Sequence, residues 1–298
     1  MLLNSLTYQI TFDPKHAQHA DEYYGRSIKA FRQALSDPIC FKEEMTPYAG
    51  ILLCSISMNR AMPFSIHLNG IASLFHQRQS VQLSTEDSEE LASLIGVLDL
   101  PTHSLGRRTK RLDMWHNHCM GQTGIEQVTG LPCSLIDLLA SPMDHDIEER
   151  LLQWPVELGE PATCRIWEAA QYAGLIMIRQ YRLDHGLPSN LGIESYNSIG
   201  RHLLTLLRDL RMRMDVSTFV ATEALLFPLV AVGSQPAMLT AGSRAFILEC
   251  IVSLANDSLS DYPYYRAVVA VLETLWAGDG TKSLDNVTRE MDLELALF

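Results

Sequence analysis

Residues 160–185 read EPATCRIWEAAQYAGLIMIRQYRLDH, and this stretch decides the fold class. The Glu160-Pro161 pair puts a proline where a helix starts, a position whose N–H would lack an intrahelical partner anyway. From there Ile166, Trp167, Ala170, Tyr172, Ala173, Leu175, Ile176, Met177 and Ile178 cover almost the whole circumference of a helix running to about His185. A helix that is apolar nearly all round has no face to offer water, so it belongs in the centre of a packed set of helices.

Outward from this centre, apolar residues recur at three-and-four spacing and alternating strand patterns are nearly absent. On the N-terminal side, Leu2, Leu3, Leu6 and Ile10 open a short helix. A second follows the Asp13-Pro14 break, carries Tyr23, Tyr24, Ile28, Phe31 and Leu35, and stops at Asp37-Pro38. Further helices are expected from about Thr46 to Arg60, after Pro63 through Phe75, and from the capping run Ser84-Thr85-Glu86-Asp87 through Leu98. Pro101 to Arg111 reads as a polar, basic loop, and Gly130-Leu131-Pro132 as a turn before a short helix over 134–139. On the C-terminal side, 195–214 is amphipathic, 216–232 mostly apolar, and helices are expected over 243–258, 263–276 and from Ser283. The sum is an all-α chain: one domain over 1–298, a bundle of about a dozen helices.

The 298 residues are 47% hydrophobic, enough for a large core, and carry a formal charge of -12. That balance argues against independent binding to nucleic acid, which needs a cationic surface. The longest apolar run, 224–233, is far shorter than the roughly 20 residues a membrane span requires. Residues 1–16 lack the basic region and cleavage site of a signal peptide, so an intracellular location is expected. Cys40, Cys54, Cys119, Cys133, Cys164 and Cys250 form no C-x-x-C pair and read as reduced.

Several segments, in order, resemble the fungal-specific transcription factor domain, the helical regulatory region of binuclear-zinc-cluster proteins. They are Ala20-Asp21-Glu22-Tyr23-Tyr24 through Leu35, His67-Leu68-Asn69-Gly70-Ile71-Ala72-Ser73-Leu74-Phe75, and Gly130-Leu131-Pro132 with the leucine-rich turn to Leu139. Phe227-Pro228-Leu229-Val230-Ala231-Val232-Gly233 and Leu272-Glu273-Thr274-Leu275-Trp276 complete the set. The chain departs from the family in lacking a clustered six-cysteine zinc module. It also begins almost inside the first helices of that fold, as an excised domain or a stand-alone paralogue would.

The resemblance implies a regulatory domain that senses a small apolar metabolite or a partner protein, with dimerisation with itself or a related regulator as a further expectation. It would lie in the nucleus as part of a transcription factor, or in the cytoplasm as a stand-alone enzyme. The alternative is a cofactor-independent cyclase or isomerase of secondary metabolism, holding a polyketide- or terpenoid-type substrate in a reactive conformer in the same pocket. Neither reading requires a cofactor or a metal.

Pocket walls are expected from Trp167, Tyr172, Met177, Phe219, Phe227 and Met238, residues that could equally be core packing. Glu223, set among Phe219, Ala224, Leu225 and Phe227, reads as a raised-pKa acid or ligand anchor, or else as the partner of an arginine such as Arg165 or a solvated edge residue. His116 and His118 are candidates for proton transfer, or for surface and hydrogen-bonded positions. Their i, i+2 spacing points the two rings to different sides of a helix and disfavours a shared metal. Asp144 and Asp146 read as helix caps. Arg107, Arg108, Lys110 and Arg111 form a basic run that reads as a solvated loop, or as a contact for an anion or an acidic partner. No nucleophile elbow, phosphate-binding glycine loop or HExxH is present.

Overall fold

The computed structural model describes residues 14–37, 45–79, 85–156, 159–213, 224–257 and 263–297. It is 69% helical, with thirteen α-helices among the described residues and one two-stranded sheet. In chain order the helices are α1 (Pro14–Ser36), α2 (Met45–Asn59), α3 (Ser65–Gln79), α4 (Thr85–Leu98), α5 (Met114–His118), α6 (Cys133–Leu139) and α7 (Ile147–Gln153). They continue with α8 (Pro161–Asp184), α9 (Ile193–Arg213), α10 (Leu226–Gly233), α11 (Ala241–Asp257), α12 (Pro263–Ala277) and α13 (Leu284–Glu290). The first expected helix and much of the apolar 216–232 segment lie outside the described residues.

Helix α8 sits at the centre, as its all-round apolarity demands, and packs against α6, α7, α9 and α10. Pro161 occupies its first turn, and its far end closes with a glycine-dependent C-cap. Gly186 stands at φ 68°, Leu187 N–H donates to the carbonyl of Arg182 at 2.8 Å, and Gly186 N–H to that of Leu183 at 3.1 Å. This is the Schellman arrangement, which satisfies carbonyls the helix would otherwise leave open.

Around α8 the buried apolar residues form one contiguous core, from Cys54 in α2 to Leu297. All four tryptophan indoles have a partner: Trp115 donates to Asp137 Oδ1, Trp154 to Ser134 Oγ, Trp167 to the Gly130 carbonyl and Trp276 to the Gly233 carbonyl. Each ring thus contributes apolar area without stranding its N–H.

A buried ion pair crosses this core. Glu148 of α7 lies 3.7 Å from Arg182 of α8, both fully enclosed. The Glu148 carboxylate also accepts from Ser189 Oγ, Asn190 N and Leu191 N, while Arg182 donates to the carbonyls of Pro142, Asp144 and Pro188. Asp144 and Asp146, expected as caps, make no such bond at the start of α7; both instead face Arg150, at 3.0 and 3.6 Å.

The sheet is the feature that sequence periodicity did not announce. Strands β1 (Ser104–Leu105) and β2 (Leu295–Ala296) pair antiparallel, Ser104 opposite Ala296 and Leu105 opposite Leu295. The C-terminal segment is clamped further by Leu297 N donating to the His103 carbonyl, by Gly106 N donating to Asp285 Oδ1 at 2.7 Å, and by Arg108 paired with Asp292.

Candidate functional site

The loop between α4 and α5 is built around one carboxylate. Asp99, 3% exposed, accepts from the amides of Leu112 and Met114 and faces Arg107, whose Nη1 lies 2.7 Å from Asp99 Oδ1 and off the hydrogen-bonding angle. Burial raises the Asp99 pKa against the opposing pull of Arg107 and the two amides. Arg107 also donates to the carbonyls of Thr109 and Lys110, folding the loop back on itself.

Arg111 is half-buried. Its guanidinium donates to the backbone carbonyls of Asp99 (3.1 Å), Pro101 (2.9 Å) and Ser104 (3.4 Å) and lies 5.7 Å from the centre of the Tyr181 ring. Burial and the neighbouring Arg107 push its pKa down. The expectation of a solvated basic loop is therefore corrected for 107–111. The hydrogen-bonding needs of Asp99 and of the loop carbonyls draw two of its four cations inward, and Arg108 and Lys110 remain at the surface.

This loop forms one wall of a cleft of about 630 Å³. The C-terminal end of α8 supplies the second wall, with Met177, Gln180, Tyr181, Asp184 and His185; the start of α13 supplies the third, with Leu284, Asp285, Asn286 and Arg289. The volume is within the range of small-molecule sites. Leu105, Met177 and Leu284 give the cleft buried apolar surface, and Met143 stands exposed at its edge. The Tyr181 ring stacks on His185, centroids 4.0 Å apart, and His185 Nδ1 donates to the Tyr181 carbonyl. Burial raises the Tyr181 pKa, Arg111 opposes the shift and Asp113 adds to it. Asp113 itself adopts φ 53° and does not cap α5 with its side chain.

The residues singled out in the sequence are dispersed. Met177 lines the cleft. Trp167 is buried under Gly130, and Phe227 is buried against His103, their rings stacked with centroids 3.8 Å apart. Tyr172 is half-buried and meets His202 edge-on, and Met238 packs its sulfur over Gly200. His116 is exposed. His118 is half-buried between Phe75 and His76, at 5.2 and 5.6 Å between ring centroids; burial, then the charge of His76, lowers its pKa. Phe219 and Glu223 lie outside the described residues, and Arg165, suggested as a partner for Glu223, pairs with Glu168 at 2.8 Å.

Sequence reasoning missed Gln180, Tyr181, His185 and the α13 residues. The signal available was the polar end of an otherwise apolar helix, Arg179 to His185, beside an unusually basic loop. Among the described residues no group of three or more His, Cys, Asp or Glu side chains could hold a metal ion, and no helix is long and apolar enough to cross a membrane. Comparison of the chain with protein-family models, curated proteins and solved structures finds no match, so the cleft's chemistry alone must carry its functional reading.

Proposed function

We propose that the chain is a ligand-responsive regulatory domain of the kind its helical segments resemble, the fungal transcription factor regulatory domain, and that the cleft between the 101–113 loop, α8 and α13 is its effector site. The observation that carries this reading is the cleft itself, which joins residues distant in sequence around buried apolar surface and fixed polar groups. A ligand there would touch the loop, the central helix and the C-terminal segment at once. By mass action it would stabilise the folded state in proportion to its concentration over its dissociation constant.

The test is incubation of the purified protein with fungal culture extract, followed by mass spectrometry of what remains bound and by thermal unfolding. A compound that is retained unchanged and raises Tm in the wild type, but not in a Gln180→Trp variant whose indole fills the cleft, supports the proposal. Retention that is indifferent to Gln180→Trp counts against this cleft.

A second reading, a cofactor-independent cyclase or isomerase, draws on one observation: Tyr181 and His185 bring two proton-transfer groups to the same cleft. In that case the extract yields a new product at a rate proportional to protein, abolished by His185→Ala and untouched by His118→Ala.

A further inference from the structure

We infer that the cleft selects an amphipathic carboxylate, its anionic head at Arg111 and its apolar body along Leu105, Met143, Met177 and the ring of Tyr181. This rests on the reading of the cleft as a small-molecule site and names the class of molecule.

The warrant is the charge balance around Arg111. A half-buried cation is costly unless an anion faces it; the direct partners of its guanidinium are backbone carbonyls and Tyr181, with Asp99 and Asp285 attracting its charge from further off. Every nearby acid has another commitment or lies in water. Asp99 is held by Arg107 and two amides. Asp285 takes the amide of Gly106 through one oxygen and Arg289 through the other. Asp184 accepts from Gln180 and is exposed, as is Asp113, so solvent screens both. Behind Arg107, Glu294 is fully buried, accepts from Ser65 N, and is driven by burial toward its neutral form.

Three arginines thus share two carboxylates: Arg111 competes with Arg107 for Asp99 and with Arg289 for Asp285. A single further negative charge balances them, which favours a monoanion over a phosphate or a dicarboxylate. A carboxylate also matches the planar fork of a guanidinium. Lys110, exposed at the rim, adds attraction at longer range. Exposed Met143 and the ring of Tyr181 offer the rest of the ligand an apolar face, which a free inorganic anion would leave unused.

Isothermal titration calorimetry with three probes that share one chain tests the inference: decanoate, decan-1-ol and decyltrimethylammonium, each below its micellar concentration. Decanoate is expected to bind wild-type protein roughly tenfold or more tighter than either other probe. That preference should vanish in Arg111→Met and shrink in Lys110→Gln and at raised KCl, and all binding should be lost in Gln180→Trp. Should Arg111→Met fail to fold, the exposed Lys110→Gln variant and the salt series carry the test, and an unchanged preference in both overturns the inference. Equal binding of decanoate and decanol, both abolished by Gln180→Trp, overturns carboxylate selectivity and leaves the effector site standing. Absence of decanoate binding overturns the inference too. Only if Gln180→Trp also leaves extract compounds bound as before does the proposed site fall with it.

Discussion

His103 lies 2% exposed beneath β1, its ring stacked on Phe227 and its Nδ1 2.9 Å from Thr102 Oγ1. Burial holds its pKa down to about 3, against an ordinary 6.5, so the folded protein keeps the imidazole neutral where the unfolded chain would protonate it. Stability from this residue is complete above pH 6.5 and is lost as pH falls from 6.5 toward 3, on the order of 1.4 kcal/mol per pH unit. Urea unfolding of His103→Phe should therefore show a flatter pH profile than wild type between pH 6.5 and 4. The raised carboxyls Asp99 and Glu294 act with the opposite sign near pH 4, and the comparison of the two proteins cancels them. Glu148→Ala should cost about 3–5 kcal/mol in the same measurement, because it leaves Arg182 charged and enclosed. Neither position was conspicuous in the sequence. His103 sits in a loop with no periodicity, and the Glu148–Arg182 pair joins two helices whose facing sides only packing reveals.

At the scale of elements, the central helix was legible because apolarity on every side has one physical solution; the breaks at Gly130-Leu131-Pro132 and Glu160-Pro161 fall at helix starts, and α1 ends at Ser36, next to Asp37, while Pro38 lies outside the described residues. The β1–β2 pair was illegible because strands of two residues carry no alternation to detect. The cleft inherited that obscurity, since those contacts help to hold its third wall, α13, which also packs against α12. Gly106 is the critical point. It stands at φ 68°, and a Cβ there would lie 2.3 Å from the Leu293 carbonyl oxygen, a backbone atom that cannot swing aside. Gly106→Ala should cost at least ~1–3 kcal/mol. Hydrogen exchange should show the loss concentrated in residues 284–297 and 103–108, with little change in α8 or α9.

Across the whole molecule, the balance of apolar content and charge anticipated the large continuous core; of the scattered cysteines, Cys40 lies outside the described residues and Cys54, Cys119, Cys133, Cys164 and Cys250 take part in no disulfide. Burial pushes the Cys119 thiol up to about 12 and that of Cys250 to about 11, and raises Cys54 further still. A thiolate is needed for alkylation. Iodoacetamide at pH 8 should consequently label half-buried Cys164 first among these five, and reach Cys54 only on global unfolding, as peptide mass mapping over time can follow. The pairing of Gly106 with Asp285, 179 residues apart, has a bearing on synthesis as well as on form. A ribosome adding about 5–20 residues per second takes on the order of ten seconds or more to cover that interval. The nascent loop and central helix spend that time without their third wall. A chaperone, or the ligand itself once the wall arrives, therefore meets a protein whose binding function matures only after residue 285 has emerged, well after its core has begun to set.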